Sequence, residues 1–151
     1  MADTYTQLFF HVVFAVQGRQ KLISPKWEKE LYKYICGIAV RKEQKVFAIN
    51  GVADHLHLLI STKPDMALSH LVGDLKANSS KWVNDNKLCP FKFQWQAGYG
   101  GFTHSKRELD TVIGYIDNQE KHHEKQSFRA EYMQILDEAG IVFQENYLFE
   151  F

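Results

Sequence analysis

The stretch Val52-Ala53-Asp54-His55-Leu56-His57-Leu58-Leu59-Ile60 limits what this chain can become more than any other. A β-strand sends alternate side chains to opposite faces. In a strand, His55 and His57 share one face while Leu56 and Leu58 point into the layer behind. Two imidazoles side by side on an apolar strand are hard to explain as packing. Neutral imidazole is a common metal ligand, and an i, i+2 pair on a strand is half of a metal site. The plainer alternative is a solvated pair at a sheet edge, because two ligands alone do not hold an ion.

The flanking segments predict the rest of the architecture. Residues 5–17 alternate and are rich in Phe and Val, the pattern of a central strand, with His11 interrupting one face. Ser24-Pro25 predicts a helix start, and Trp27, Leu31, Tyr34, Ile35 and Ile38 give an amphipathic helix over 25–43. Strands are predicted at 45–53 and 55–62, antiparallel. The turn is placed at Ala53-Asp54 in preference to Asn50-Gly51, because the strand lengths then match. Gly51 becomes a bulge or a close backbone approach. Asp65 is the expected cap of a second helix with a stripe of Leu68, Leu71, Val72, Leu75, Ser79 and Trp82. Residues 91–103 read as a strand running into an irregular glycine-rich loop. Ser105-Lys106-Arg107-Glu108 is a capping box that starts a helix at 106. Tyr115 and Gln119, four residues apart, share the flank of that helix. Ser127 caps a further helix that Gly140 ends. The tail around Ile141 and Tyr147 to Phe149 is expected as a short strand or an edge contact. The order β-α-β-β-α-β followed by helices is the split βαβ pattern: an α+β, ferredoxin-like fold with a central antiparallel sheet, helices on one face, and added C-terminal helices.

With 151 residues the chain is expected to be one domain, 1–151. No apolar run approaches the ~18 residues that span a bilayer, and the first residues lack a signal-peptide pattern, so a cytoplasmic protein is expected. Cys36 and Cys89 have no metal-like spacing and read as reduced thiols. Eighteen basic and eighteen acidic residues balance to zero. A broad duplex-gripping basic face is therefore excluded, and any nucleic-acid contact must be local. Candidates for such contacts are Arg19, Lys76, and the aromatic Trp95 and Tyr99, which could stack an unpaired base. Core packing is the competing reading for the aromatics, as solvation is for Lys76.

A strand bearing Asp54-His55-Leu56-His57-Leu58-Leu59, followed by a capped helix with Tyr115-Ile116-x-Asn118-Gln119, resembles the single-tyrosine HUH transposases. These are the insertion-sequence 200-like enzymes and the related REP-associated tyrosine transposases. Supporting echoes are His11-Val12-Val13-Phe14 leading to Arg19, Leu75-Lys76 with Ser79-Ser80, and Trp95-Gln96-x-x-Tyr99. The resemblance spans residues 7–123, and the wording at Tyr99 to Ser105 departs from the family's usual form. The resemblance implies a divalent ion, Mg²⁺ or Mn²⁺, held by His55, His57 and Gln119. It implies Tyr115 as a nucleophile that forms a 5′-phosphotyrosine on single-stranded DNA marked by hairpins, and a homodimer. His11 and His122 are possible accessory groups, with His122 preferred over His123. The alternatives are a replication-initiator or relaxase-type HUH nickase, and a non-catalytic hairpin-binding ferredoxin-like protein.

Overall fold

A computed structural model describes residues 2–148, apart from the side chains of Arg19 and Asn146. Four strands form one antiparallel sheet: β1 (Phe9–Ala15), β2 (Lys45–Val52), β3 (His55–Ser61) and β4 (Gly100–His104), in the order β2-β3-β1-β4. Helices α1 (Glu28–Arg41) and α2 (Leu68–Asp85) lie between strands in the sequence. After β4 come α3 (Leu109–Asp117), α4 (Gln119–His123), α5 (Phe128–Glu138) and the short α6 (Glu145–Leu148). No helix among the described residues is long and apolar enough to cross a membrane.

The alternation of β1 and β3 divides the molecule into two layers. Val12, Phe14, Leu56, Leu58 and Ile60 face α1 and α2, where they join Leu31, Ile35, Leu71 and Leu75 in the main core. The other face carries His11, Val13, Ala15, His55, His57 and Leu59, because β1 and β3 pair as Ala15↔His55, Val13↔His57 and His11↔Leu59. The C-terminal helices cover this second face: Val112 and Ile116 pack on Ala48 and Leu59, and Phe128 on Val13 and Ala15. Helices thus lie on both faces of the sheet, with the predicted additional helices filling the second layer.

Several local expectations meet their physical limits here. The hairpin turn does fall at Ala53-Asp54, with Val52 opposite His55. Gly51 is a close approach and not the bulge, which lies between Val46 and Ala48. A Cβ on Gly51 would sit 2.2 Å from the carbonyl oxygen of His55. Backbone cannot yield as a side chain can, so Gly51→Ala is expected to lower unfolding stability by about 1–3 kcal/mol in urea denaturation. An unchanged midpoint would show that the hairpin has slack.

Helix α1 begins at Glu28, three residues beyond Pro25, although the Ser24 carbonyl already accepts from the Glu28 amide at 2.9 Å. Helix α2 begins at Leu68 with Ala67 at its cap, so Asp65 does not cap it. In the aromatic segment the expected order is reversed: irregular backbone comes first and β4 follows. The irregular part is held by side chains. Asn84 accepts from the Phe93 amide and donates to its carbonyl (2.7 and 2.9 Å), and Lys76 donates to the carbonyls of Gln96 (2.9 Å) and Gly98. The capping box at Ser105 and Glu108 is present, and it opens a 3-10 turn, Lys106–Glu108, that leads into α3. Ser127 Oγ accepts from the Ala130 amide at the start of α5, and Gly140 follows its end at φ +70°. The tail forms α6 and, among the described residues, no strand, and it makes the expected packing contact through Leu148, which lies against Val13, Ala15 and Phe128; Phe149 lies outside the described residues.

Candidate functional site

The second face of the sheet gathers most of the chemistry. His55, His57 and Gln119 are fully buried, and Glu131 is 1% exposed. Register brings the histidines there. Position of Gln119 depends on a break between α3 and α4 at Asn118, where the chain turns at φ −98°, ψ 20°. The Asn50 side chain, on β2 opposite His57, donates to the carbonyls of Ile116 (3.0 Å) and Asp117 (3.2 Å). It thereby satisfies acceptors that the end of α3 leaves without helical partners. With the break pinned, Gln119 Oε1 lies 3.1 Å from His55 Nε2.

Glu131 of α5 enters the same cluster from the opposite side. Its Oε1 is 3.0 Å from His57 Nε2, 3.3 Å from His55 Nε2 and 3.0 Å from His123 Nε2. Its Oε2 accepts from the Gln119 amide at 3.1 Å and from the Tyr115 hydroxyl. The sequence reading missed this residue. A signal did exist: Glu131 lies three residues after Phe128 and four before Ile135, inside the apolar stripe of its helix, where an unpaired carboxylate is costly. The accessory histidines also sort out. His11 Nε2 is 2.8 Å from His57 Nδ1. His123 reaches both Glu131 and Gln119 Oε1 (3.2 Å), whereas His122 lies beside the Tyr115 ring at 4.6 Å. The preference for His122 over His123 is thus reversed for contact with the cluster, because the break at Asn118 rotates α4.

Of the residues expected to touch DNA, Trp95 is buried, and its indole N–H donates to Ser79 Oγ at 2.9 Å. It fills core beside Phe14 and Phe93 and offers no stacking surface. Lys76 is half-buried and bonded to the 96–98 loop, with its ammonium 5.9 Å from the Tyr99 ring. Tyr99 is 36% exposed. Arg19 closes a 3-10 turn, and its side chain lies outside the described residues.

Electrostatics follow from burial and neighbours. Burial, helped by the facing histidines, lowers His57 to about 4 and His11 to about 3. Burial also works against charge on His55, but Asp54 and Glu131 outweigh it and raise its pKa. For Glu131, burial favours the neutral acid, yet hydrogen bonds from His123, His55 and His57 hold it far below the usual carboxylate range. Burial, then the Glu131 hydrogen bond and charge, push Tyr115 well above an ordinary phenol.

Linkage then fixes the sign of a pH effect. Unfolded His11 and His57 take up protons near pH 6.5, whereas the folded residues do so only near 3 to 4. Their stabilisation is complete above pH 6.5 and is lost as pH falls, while raised His55 works in the opposite sense. In chelator, stability is expected to drop by on the order of 1–3 kcal/mol between pH 7.5 and pH 5. Urea denaturation at the two pH values measures it, and a flat or rising trend contradicts the assignment.

The donor set suits a divalent cation. Ligand atoms of His55, His57 and Glu131 all lie within 4.8 Å of one another, and Gln119 Oε1 joins them. Bonds of about 2.1 Å place neighbouring ligands roughly 3 Å apart, close to the 3.0 and 3.3 Å from Glu131 to His57 and His55 and the 3.1 Å from Gln119 to His55. Asp54 Oδ1, 2.7 Å from His55 Nδ1, holds the proton on that nitrogen and leaves Nε2 to face the cluster. His11 can do the same for His57.

The chain is similar to known proteins. The profile described as "Transposase IS200 like" matches residues 4–119. The curated transposases for insertion sequence element IS200 from Salmonella typhimurium (strain LT2) and Salmonella typhi are each 26% identical over 80 residues, 53% of this chain and 53% of theirs. The chain thus spans about half the length of the curated relatives it matches. Among solved structures, a candidate transposase from Deinococcus radiodurans superposes with TM-score 0.63 at 20% identity, covering 79% of this chain and 95% of that one. A REP-associated tyrosine transposase bound to a REP hairpin gives TM-score 0.62 at 12% identity, covering 82% and 73%. At such identities the superpositions speak for the fold. The profile match, which spans β1 to β4 and both Tyr115 and Gln119, goes further: the chain belongs to the IS200-like transposase family.

Proposed function

We propose that this protein cleaves and rejoins single-stranded DNA at hairpin-marked ends through a covalent bond to Tyr115. The observation that carries the reading is the meeting, within one chain, of the Tyr115 hydroxyl with the His55, His57 and Gln119 cluster through Glu131. A phenol is a poor nucleophile at neutral pH, and this one more so, so it needs an activated phosphate beside it. A divalent ion, Mg²⁺ or Mn²⁺, bound by His55, His57 and Gln119 would withdraw charge from the scissile phosphate and fix its orientation.

The protein's own part is placement. Tyr115 Oη attacks phosphorus, the bond from phosphorus to the 3′ oxygen breaks, and the phenolic proton is balanced by protonation of that leaving oxygen. The products are a 5′-phosphotyrosine and a free 3′-hydroxyl. Because the phosphodiester energy is kept in the phosphotyrosine, another 3′-hydroxyl reverses the step without a nucleotide cofactor. His11 and Asp54 orient the two imidazoles. Zero net charge suits a narrow single-strand track better than a duplex-gripping face, and half-exposed Tyr99 is the aromatic available for stacking on it. A homodimer would bring two DNA ends together, since one chain already supplies the whole ligand set.

The test is incubation with labelled single-stranded oligonucleotides bearing stem-loops, in Mn²⁺, followed by a denaturing gel. A covalent protein–DNA band that chelator abolishes is expected. A band that persists in chelator would remove the metal from the mechanism, and shifted but never covalently bound DNA would favour a hairpin-binding protein.

A further inference from the structure

The arrangement that brings Tyr115 to the histidines also shuts DNA out. His55, His57 and Gln119 have no exposed surface, and α5 covers them through Phe128 and Glu131, with His123 of α4 beside the His55 ring. Phe128 stacks on the His55 ring at 4.1 Å and 21°. Tyr132 stands where a side chain on Gly100 would have to go, its Oη 2.9 Å from a Cβ built there. Space that β4 leaves by having glycine is therefore filled by this helix. Beside α5 a cleft of about 650 Å³ is lined by His11, Thr111, Tyr115, His122 and Gln134, and Glu131 forms part of its wall. A strand lying in that cleft would be stopped by Glu131 before reaching the imidazoles.

The carboxylate is also placed as an incoming anion would be. One oxygen meets the three imidazoles, and the other accepts from the Tyr115 hydroxyl and the Gln119 amide. A phosphodiester attacked by Tyr115 needs that same span: one non-bridging oxygen toward the ligands and the phosphorus within reach of the phenol. A planar carboxylate and a phosphate share charge sign and hydrogen-bonding habit, so each can stand in for the other.

We propose that Glu131 is an internal substitute for the scissile phosphate, and that α5 is a plug that must lift from the histidine pair before a DNA strand can reach Tyr115. This rests on the strand-transfer reading above. It adds that the described arrangement is the resting one. The turn at residues 124–127 and Gly140 bound the segment that moves.

The test needs no cognate DNA and no tyrosine chemistry, so its failure is separable from failure of that reading. Mn²⁺-loaded protein is mixed with inorganic phosphate, and paramagnetic broadening of the ³¹P line reports phosphate at the ion. At phosphate concentrations too low to displace the carboxylate, wild type is expected to broaden the line no more than free Mn²⁺ at matched concentration, and Glu131→Ala to broaden it at least tenfold more. Glu131→Gln, which keeps the shape and loses the charge, should fall between them. For a readout that needs no variant to fold, hydrogen exchange is followed in the wild type. With Mn²⁺ and excess phosphate, amides of Phe128–Glu138 should exchange at least tenfold faster while those of β1 and β3 do not change. Loss of Mn²⁺ binding in Glu131→Gln would make the carboxylate a resident ligand and overturn the proposal. Equal broadening in wild type and variants, or unchanged α5 exchange under phosphate, would overturn it as well.

Discussion

Replacing Tyr115 with phenylalanine is expected to abolish the covalent protein–DNA band, a fall of more than about 10³-fold in adduct yield, while DNA binding stays within a few fold. The substitution removes one oxygen from a half-buried ring. It leaves the ring's contacts with His11 and His57, at 6.2 and 5.8 Å, in place. Glu131 loses one donor and keeps the Gln119 amide and three imidazoles, so the fold should persist. Far-ultraviolet circular dichroism checks that point, and the denaturing gel reads the chemistry. An adduct of wild-type yield in Tyr115→Phe would move the nucleophile elsewhere.

His57→Ala is expected to weaken Mn²⁺ binding by at least about 100-fold, measured by titration against the free-ion electron paramagnetic resonance signal. His57 is tied on both nitrogens, to His11 at Nδ1 and to Glu131 at Nε2. The change therefore leaves two buried polar groups short of a partner as well as removing a ligand. A stability loss of about 1–3 kcal/mol should accompany the loss of metal. His11→Ala separates the two effects: it removes the partner that orients His57 and should cost metal affinity only about 10-fold to 100-fold. Unaltered Mn²⁺ affinity in His57→Ala would take the ion away from this cluster.

The two layers were unequally legible in the sequence. The two-residue period of a strand puts His55 and His57 on one face and Leu56 and Leu58 on the other, and the capping residues Ser105 and Ser127 announce where helical turns begin, because each signal is local. The histidine pair was legible for the same reason, whereas Tyr115 and Gln119, expected on one helix, fall on α3 and α4 either side of the break at Asn118. Glu131 was legible only as an acid inside the apolar stripe of α5, and its partners, His55, His57 and His123, become apparent only when the helix is docked. His123 was passed over because continuous helical spacing favours His122, and the break at Asn118 depends on Asn50, 66 residues from Ile116. Trp95 looked available to bases because residues 91–99 have no periodicity to separate inside from outside. Its burial rests on Ser79 and on the isolated bridge to Val16.

The four strands present an oily underside that α1 and α2 close, and an ionisable upper side that α3, α4 and α5 close. Durability and reactivity are thereby lodged on opposite surfaces of the same backbone, with successive residues of a strand belonging to different trades. A lineage can thus wear out its chemistry, one imidazole or one phenol at a time, and still leave behind a sound molecule that endures as a folded relic.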